Sequence, residues 1–342
     1  MRGGYSRPAP VFARTRAEPW QRGPRFRYRR PIVQYILKRL GLSLISLVLL
    51  SILVFAMAQV LPGDPARNLL GREAPPESVN ALNHQLGYDR PLVVRYADWF
   101  GHFVTGDLGT SARNYPRSVS EDLIPALERS LKLALFALVI IVPISIFGGV
   151  LAALRYGRPI DRVITIVGLS FAVIPEFVHG IVLVTIFGVG LHWFPTTAGT
   201  GSLKALFLPA CALALVLFGY IARMARAGTI EALAADYTRT ASLKGLSRPT
   251  VLTRHVLRNS LLPTITVIAT QTGYLFGGLV AIELLFGYPG IGSQILQAAN
   301  NKDFPVLQSG VLTIAILYLV VTLLADLVVS WLNPRVRLAD DA

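Results

Sequence analysis

Six runs of apolar residues, each near the length of a membrane crossing and almost free of charge, limit what this chain can fold into more than any other feature. An α-helix rises 1.5 Å per residue, so about 20 residues match the ~30 Å hydrocarbon core of a bilayer. The clearest run is Gly41 to Leu61, closed by Pro62-Gly63-Asp64-Pro65. The others are Leu133 to Leu154, Val163 to about Leu191, Leu206 to about Ala222, Leu261 to about Ile282 and Val311 to about Leu332. The third is interrupted at Pro175-Glu176 and ends at Trp193-Phe194-Pro195. Lipid offers no partner to a free backbone N–H or C=O, so such runs must be helices or strands of a closed barrel, and their length and lack of alternation exclude the barrel. The expected fold is an all-α membrane protein: a bundle of six transmembrane helices with a small extracytoplasmic segment between the first and second. With 53% apolar and only 15% charged residues, the composition lies outside the range of a soluble domain.

Lys and Arg set the expected orientation, because cytoplasmic loops hold them in excess. Arg2, Arg7, Arg14, Arg16, Arg22, Arg25, Arg27, Arg29 and Arg30 precede the first run against one acid, Glu18. Arg155, Arg158 and Arg162 sit between runs two and three. Arg223, Arg226, Arg239, Lys244, Arg248, Arg254 and Arg258 sit between runs four and five, and Arg335 and Arg337 follow the last. Six crossings put all four segments on one side, with both termini cytoplasmic in a multi-pass protein of the cell membrane. Positive-inside topology and attraction to anionic lipid then account for the net charge of +14, and no nucleic-acid partner is expected.

The same reading divides the chain into a basic cytoplasmic leader, 1–34, expected to be disordered; a first transmembrane helix, 35–61; an extracytoplasmic segment, 62–130; a five-helix core, 131–333, containing a cytoplasmic loop at 223–259; and a cytoplasmic tail, 334–342. The outer segment, with acids slightly outnumbering arginines, reads as a small folded cap. Ala56-Met57-Ala58 looks like a signal-peptidase site, but the apolar run is long and stands behind a long leader, which favours a retained helix.

Catalytic chemistry finds little support. Cys211 is the only cysteine and falls inside a crossing, so one chain offers no disulfide framework and no thiolate metal site. His84, His102, His179, His192 and His255 have no chelating spacing, and no G-x-x-x-x-G-K-[ST] loop is present to cradle a phosphate. No metal and no cofactor in this chain are expected, and energy for any transport has to come from elsewhere.

The loop between runs four and five is polar yet built to fold. Asp236 suits an N-cap, Lys244 the negative end of a helix, and Gly245 the left-handed C′ position, so Tyr237 to Lys244 reads as a helix of about two turns. Ser247 and Pro249 start a second helix returning to the membrane. Physics alone leaves two readings open: a docking element for a partner, or an ordinary interfacial loop.

Several strings spread from Tyr35 to Arg337 resemble one family. They are Leu61-Pro62-Gly63-Asp64-Pro65; Gly106-Asp107-Leu108-Gly109-Thr110-Ser111; Asp236 to Gly245 with Arg254-His255 and Arg258-Asn259; Glu283 with Phe286-Gly287-Tyr288-Pro289-Gly290-Ile291-Gly292; Asp303-Phe304-Pro305-Val306; and Asn333-Pro334-Arg335-Val336-Arg337. Together they are similar to the permease subunits of dipeptide and oligopeptide ABC importers, a family that also includes nickel and glutathione permeases. Where the wider ABC-importer loop has Glu-Ala-Ala, this chain has Arg239, Thr240 and Ala241, as the peptide branch does. The resemblance implies a non-enzymatic half-pore that works with a second homologous permease, two ATPase subunits and an extracytoplasmic substrate-binding protein. ATP and Mg would sit on the ATPases. By the same resemblance Tyr237, Arg239, Thr240, Ala241, Lys244 and Gly245 touch the ATPase, Asp236 caps their helix, and Arg254 and His255 brace the loop.

Ionisable groups within crossings are costly and should face protein or water. Glu176 and His179 stand three apart on one helical face, placed either to hydrogen-bond between helices or to contact cargo on a translocation path, and Asp326, in the last run, reads as structural. Glu283 closes the fifth run beside Gly-Tyr-Pro-Gly and is a candidate gate, while Gln271 and Tyr274 are candidates to line a path. Two function classes follow. The favoured one is the permease subunit of an ATP-driven importer of short peptides, with nickel or glutathione as alternative cargo. The other is a self-sufficient secondary carrier, hinted at only by the broken third run.

Overall fold

The computed structural model describes residues 32–60, 65–71, 73–85, 87, 89–113, 116–199 and 201–332. The leader, most of the Leu61 to Pro65 string, the Asn333 to Arg337 string and the tail therefore lie outside the described residues. The chain divides into two units, Met1–Gly41 and Leu42–Ala342. In the first, the described residues are the opening turns of helix α1, Ile32–Val60; everything below concerns the second.

Short helices follow α1: α2 (Pro65–Leu70), α3 (Pro76–Gln85) and α4 (Leu92–Val104). Helix α5 (Val119–Leu154) starts well before the apolar run that announces it. The Ser118 side chain caps it by accepting from the Ser120 N–H, and Glu121 and Asp122 favour its positive end. The extracytoplasmic segment expected to reach residue 130 thus gives its last dozen residues to a helix, since a helix does not stop where its side chains turn polar.

Helix α6 (Pro159–Val173) begins on a proline, whose missing N–H costs nothing there. It ends at Ile174-Pro175 and is followed by α7 (Glu176–Leu183), which runs on as a π-helical turn, Val184–Gly190. The α6–α7 break bends the path by 108°. The third expected crossing is therefore a bent pair, and among the described residues five helices qualify as spans by length and apolarity, or six when that pair is one span. Helix α8 (Leu203–Ala234), capped by Ser202, leads to α9 (Asp236–Leu243). Then α10 (Arg248–Thr250) passes through a π turn into α11 (Arg258–Leu285), followed by α12 (Ile291–Asn301) and α13 (Phe304–Leu332).

Helix α8 is the centre, packing against α5, α6, α7 and α11. Helices in lipid associate by close approach rather than by expelling water, so small residues belong on the contact faces. Ala210, Ala212, Ala214, Gly219, Ala222, Ala225 and Gly228 of α8 are all buried. A Cβ at Gly219 would strike the Gly168 carbonyl of α6, and one at Gly149 of α5 would strike the Ala222 carbonyl. A second cluster joins the opening of α5 to α12 and α13 through Val119, Leu123, Ala126, Ile291, Ala298 and Val306. Among the described residues the sole β pairing is the isolated bridge Thr110–Ser118.

Candidate functional site

Two polar constructions stand at opposite ends of α8, whose 32 residues span about 48 Å. At its C-terminal end, α9 projects between α8 and α10. Ala235 takes the N-cap position and makes no side-chain cap bond; Asp236 is the first helical residue, where its charge still suits the helix N-terminus. That corrects the expected capping role of Asp236: the helix starts one residue early because Ala235 already has the extended backbone of a cap. Gly245 has φ +76, the left-handed conformation expected of it.

One face of α9 is anchored to its own chain. Thr238 and Ala241 are buried, and the Thr238 hydroxyl donates to the Ala232 carbonyl at 2.7 Å. Ala241 packs with Ala232, Val251 and Val256. Tyr237, Arg239, Thr240, Lys244 and Gly245 are exposed, as is Arg254, while His255 is half-buried. Of the residues assigned to a partner contact, Ala241 is thus turned inward, because the helix needs one small apolar position to seat on its own loop. Leu243, by contrast, is 80% exposed, with Leu246 beside it also exposed. Sequence reasoning passed over both leucines, although an apolar residue between two polar ones at a helix end was the available signal.

Nearby, Arg226 of α8 grips Asp161 of α6 through two bonds, Nε to Oδ1 at 2.6 Å and Nη2 to Oδ2 at 2.9 Å. The Gly157 N–H also donates to Asp161, and the guanidinium stands 5.3 Å over the Tyr156 ring. A sequence reading that counts Arg226 only as surface charge misses this clamp. The one acid in the turn of Arg155, Arg158 and Arg162 was its trace.

At the other end, Ala198 N–H donates to the Phe286 carbonyl at 2.7 Å and Lys132 Nζ to the Gly201 carbonyl at 3.4 Å, bringing the α11–α12 turn beside the start of α8. Glu283 lies here, with no solvent exposure. Its Oε1 accepts the Ser130 hydroxyl of α5 and its Oε2 accepts the Ser293 N–H at 3.0 Å. Ser130 Oγ in turn accepts the Ile291 N–H at 2.8 Å. The carboxylate therefore satisfies the open N-terminus of α12, the position where an anion is worth most. A Cβ at Gly290 would overlap both the carboxylate and Ser130, which explains that glycine in Gly-Tyr-Pro-Gly. Tyr288, also buried, donates its hydroxyl to the Arg129 carbonyl at 3.0 Å.

A second buried acid closes the same end. Asp303 accepts the Ser111 hydroxyl at 2.5 Å and the Ala112 N–H at 3.1 Å. The Gly106 to Ser111 string and the Asp303 to Val306 string, far apart in sequence, are thus two halves of one joint.

The remaining candidates are dispersed. His179 is buried, its ring edge-on to Phe171 at 5.6 Å, and its nitrogens have no hydrogen-bond partner among the described residues. The Glu176 carboxyl stands over the Cα of Gly278 on α11, where a Cβ would come within 3.0 Å of its Oε1. Gln271 is half-buried and Tyr274 is 75% exposed, so neither joins the Glu283 construction.

Known proteins match along nearly the whole chain. The pattern of the binding-protein-dependent transport system inner membrane component fits residues 145–338, and that of the N-terminal part of such membrane components fits residues 32–117. The chain is 32% identical to the dipeptide transport system permease protein DppB of Alkalihalophilus pseudofirmus, over 90% of this chain and 100% of that one. It is 34% identical to the glutathione transport system permease protein GsiC of Salmonella typhimurium, over 90% and 99%. The GsiC protein of Escherichia coli strain K12 is 32% identical over the same shares. A crystal structure of an amino acid ABC transporter with histidines covers 62% of this chain and 92% of its own at a TM-score of 0.43 and 20% identity.

Proposed function

We infer the function from one premise: the chain belongs to the family of binding-protein-dependent transport system inner membrane components. It is the multi-pass permease subunit of an ATP-driven importer, and its cargo is a short peptide. Both kinds of relative are named for such cargo, dipeptides in one case and glutathione, a tripeptide, in the other. Family membership leaves no room for a self-sufficient carrier, and nickel finds no support among the relatives described.

The observation supporting a coupled permease is α9, a short helix whose inner face is seated on its own loop while Tyr237, Arg239, Leu243 and Lys244 stay free. An ATPase subunit takes that face, and a homologous permease completes the pore. ATP and Mg belong to the ATPases, and a separate binding protein presents the peptide on the opposite side. Motion of the ATPase pair reaches the membrane along α8, which packs against α9, and through the π turn Val251–Leu257 along α11, which packs on α8. The termini and α9 lie in the cytoplasm, on the side rich in arginine.

The test is Gly245→Val in the assembled transporter. A β-branched residue at φ +76 strains the end of α9 without meeting any neighbour, so assembly should persist while ATP hydrolysis stops driving peptide uptake. Unchanged coupling would remove α9 from the transmission.

A further inference from the structure

The segment between α1 and α5 reads in sequence as a small folded cap, yet one helix of it does not have the surface of a cap. Helix α4 has no buried residue. Around its axis it presents three stripes, since residues three and four apart share a face. Tyr96, Trp99 and Phe103 form the first, Val93, Ala97 and Val104 the second, and Asp98 with His102 the third.

The aromatic stripe meets α1. Tyr96 lies 5.5 Å from the Phe55 ring and Trp99 5.6 Å from it. The Tyr96 hydroxyl is hydrogen-bonded to Ser51 Oγ at 2.8 Å. Ser51 is inside the spanning part of α1, Leu37–Gln59, eight residues before its end, which is about 12 Å along the axis. On α1 at that level Leu49, Ile52, Leu53 and Met57 are all exposed, as a lipid-facing surface must be. The second stripe of α4 is apolar and exposed as well: Val93 is 78% exposed and Val104 68%. The third stripe is polar, with Asp98 paired to Arg90 at 3.3 Å and its carbonyl accepting from His102 Nδ1 at 2.7 Å.

We propose that α4 lies in the membrane, in the leaflet where α1 ends, with Val93, Ala97 and Val104 against acyl chains and Asp98 and His102 toward headgroups and water. The partner of this face is lipid. A helix standing in water would expose a valine stripe with nothing to cover it, whereas a hydroxyl tied to the interior of a span places the same stripe where burial is free. Tyr96 and Trp99 then occupy the depth that amphipathic aromatics favour, and the polar stripe keeps the helix from sinking further.

Nitroxide labels test this in the assembled transporter, in nanodiscs of phosphatidylethanolamine and phosphatidylglycerol, with Cys211→Ser and cysteine-free partner subunits. Labels enter through Val93→Cys, Val104→Cys and His102→Cys. The ratio of collisions with oxygen to collisions with an aqueous nickel chelate should be severalfold higher at 93 and 104 than at 102. Chelate-dominated collisions at 93 and 104 would make α4 part of a water-exposed cap and overturn the proposal, and low collision with both reagents would mean a protein covers the stripe, which overturns it too. On the unmodified chain, a phospholipid bearing a photoreactive acyl chain should leave adducts on peptides from 92–104. Adducts on α1 alone would also overturn it.

Discussion

The two ends of α8 solve opposite problems with similar parts. At the α11–α12 turn the polar side chains of the motif find partners within the chain: Glu283 holds Ser130 and Ser293, Ser130 holds Ile291, and Tyr288 reaches Arg129. At α9 only Thr238 and Ala241 are engaged inward, and a tyrosine, an arginine, a lysine and a leucine are left facing out. A motif that closes on itself holds the bundle together, and a motif that leaves its side chains free is available to another molecule. The difference separates two strings that the sequence presents with equal emphasis.

Removing the closed end's central acid should have the largest effect. Glu283→Ala leaves a buried hydroxyl and a buried helix N-terminus without an acceptor, a loss of about 3 kcal/mol or more. Thermal melting of the purified chain should fall sharply, and a melt like that of the parent would break the comparison. Asp303→Ala should cost about 2 kcal/mol by freeing Ser111 and Ala112 from the α12–α13 turn, read as faster proteolysis of the 105–118 segment. Gly245→Val should cost about 1–2 kcal/mol locally at most, so melting barely moves while uptake per ATP collapses.

Arg239→Glu and Leu243→Asp should leave stability within about 0.5 kcal/mol, as exposed positions do. Yet each should weaken capture of the ATPase about tenfold, some 1.4 kcal/mol of binding, measured by titrating ATPase onto the reconstituted permease. Were either to melt the protein while ATPase affinity held, α9 would be a second closed end, and the contrast would vanish.

What sequence reasoning reads well here is local. The apolar runs announce α1, α8, α11 and α13, and the left-handed Gly245 is legible from its place after a short polar helix. The bend after α6 is foreshadowed by Pro175, because a proline denies helical backbone to the residue before it. Ser130 is illegible: a lone serine ahead of an apolar run looks like any helix residue until Glu283 arrives beside it. The inward turn of Ala241 and the outward one of Leu243 depend on how α9 is seated against Val251 and Val256. The Asp161–Arg226 clamp needs two helices side by side before a charge counted for topology becomes a bond.

By itself the sequence determined that this chain lives in a bilayer as helices, because backbone groups in lipid must bond within their own segment, and segment length and apolarity are written residue by residue. Tertiary structure alone decided which polar residues are bound inside and which are left exposed. Glu283 and Ser130 stand 153 positions apart, and a hydrogen bond depends on distance in space, which the order of residues along a chain does not record.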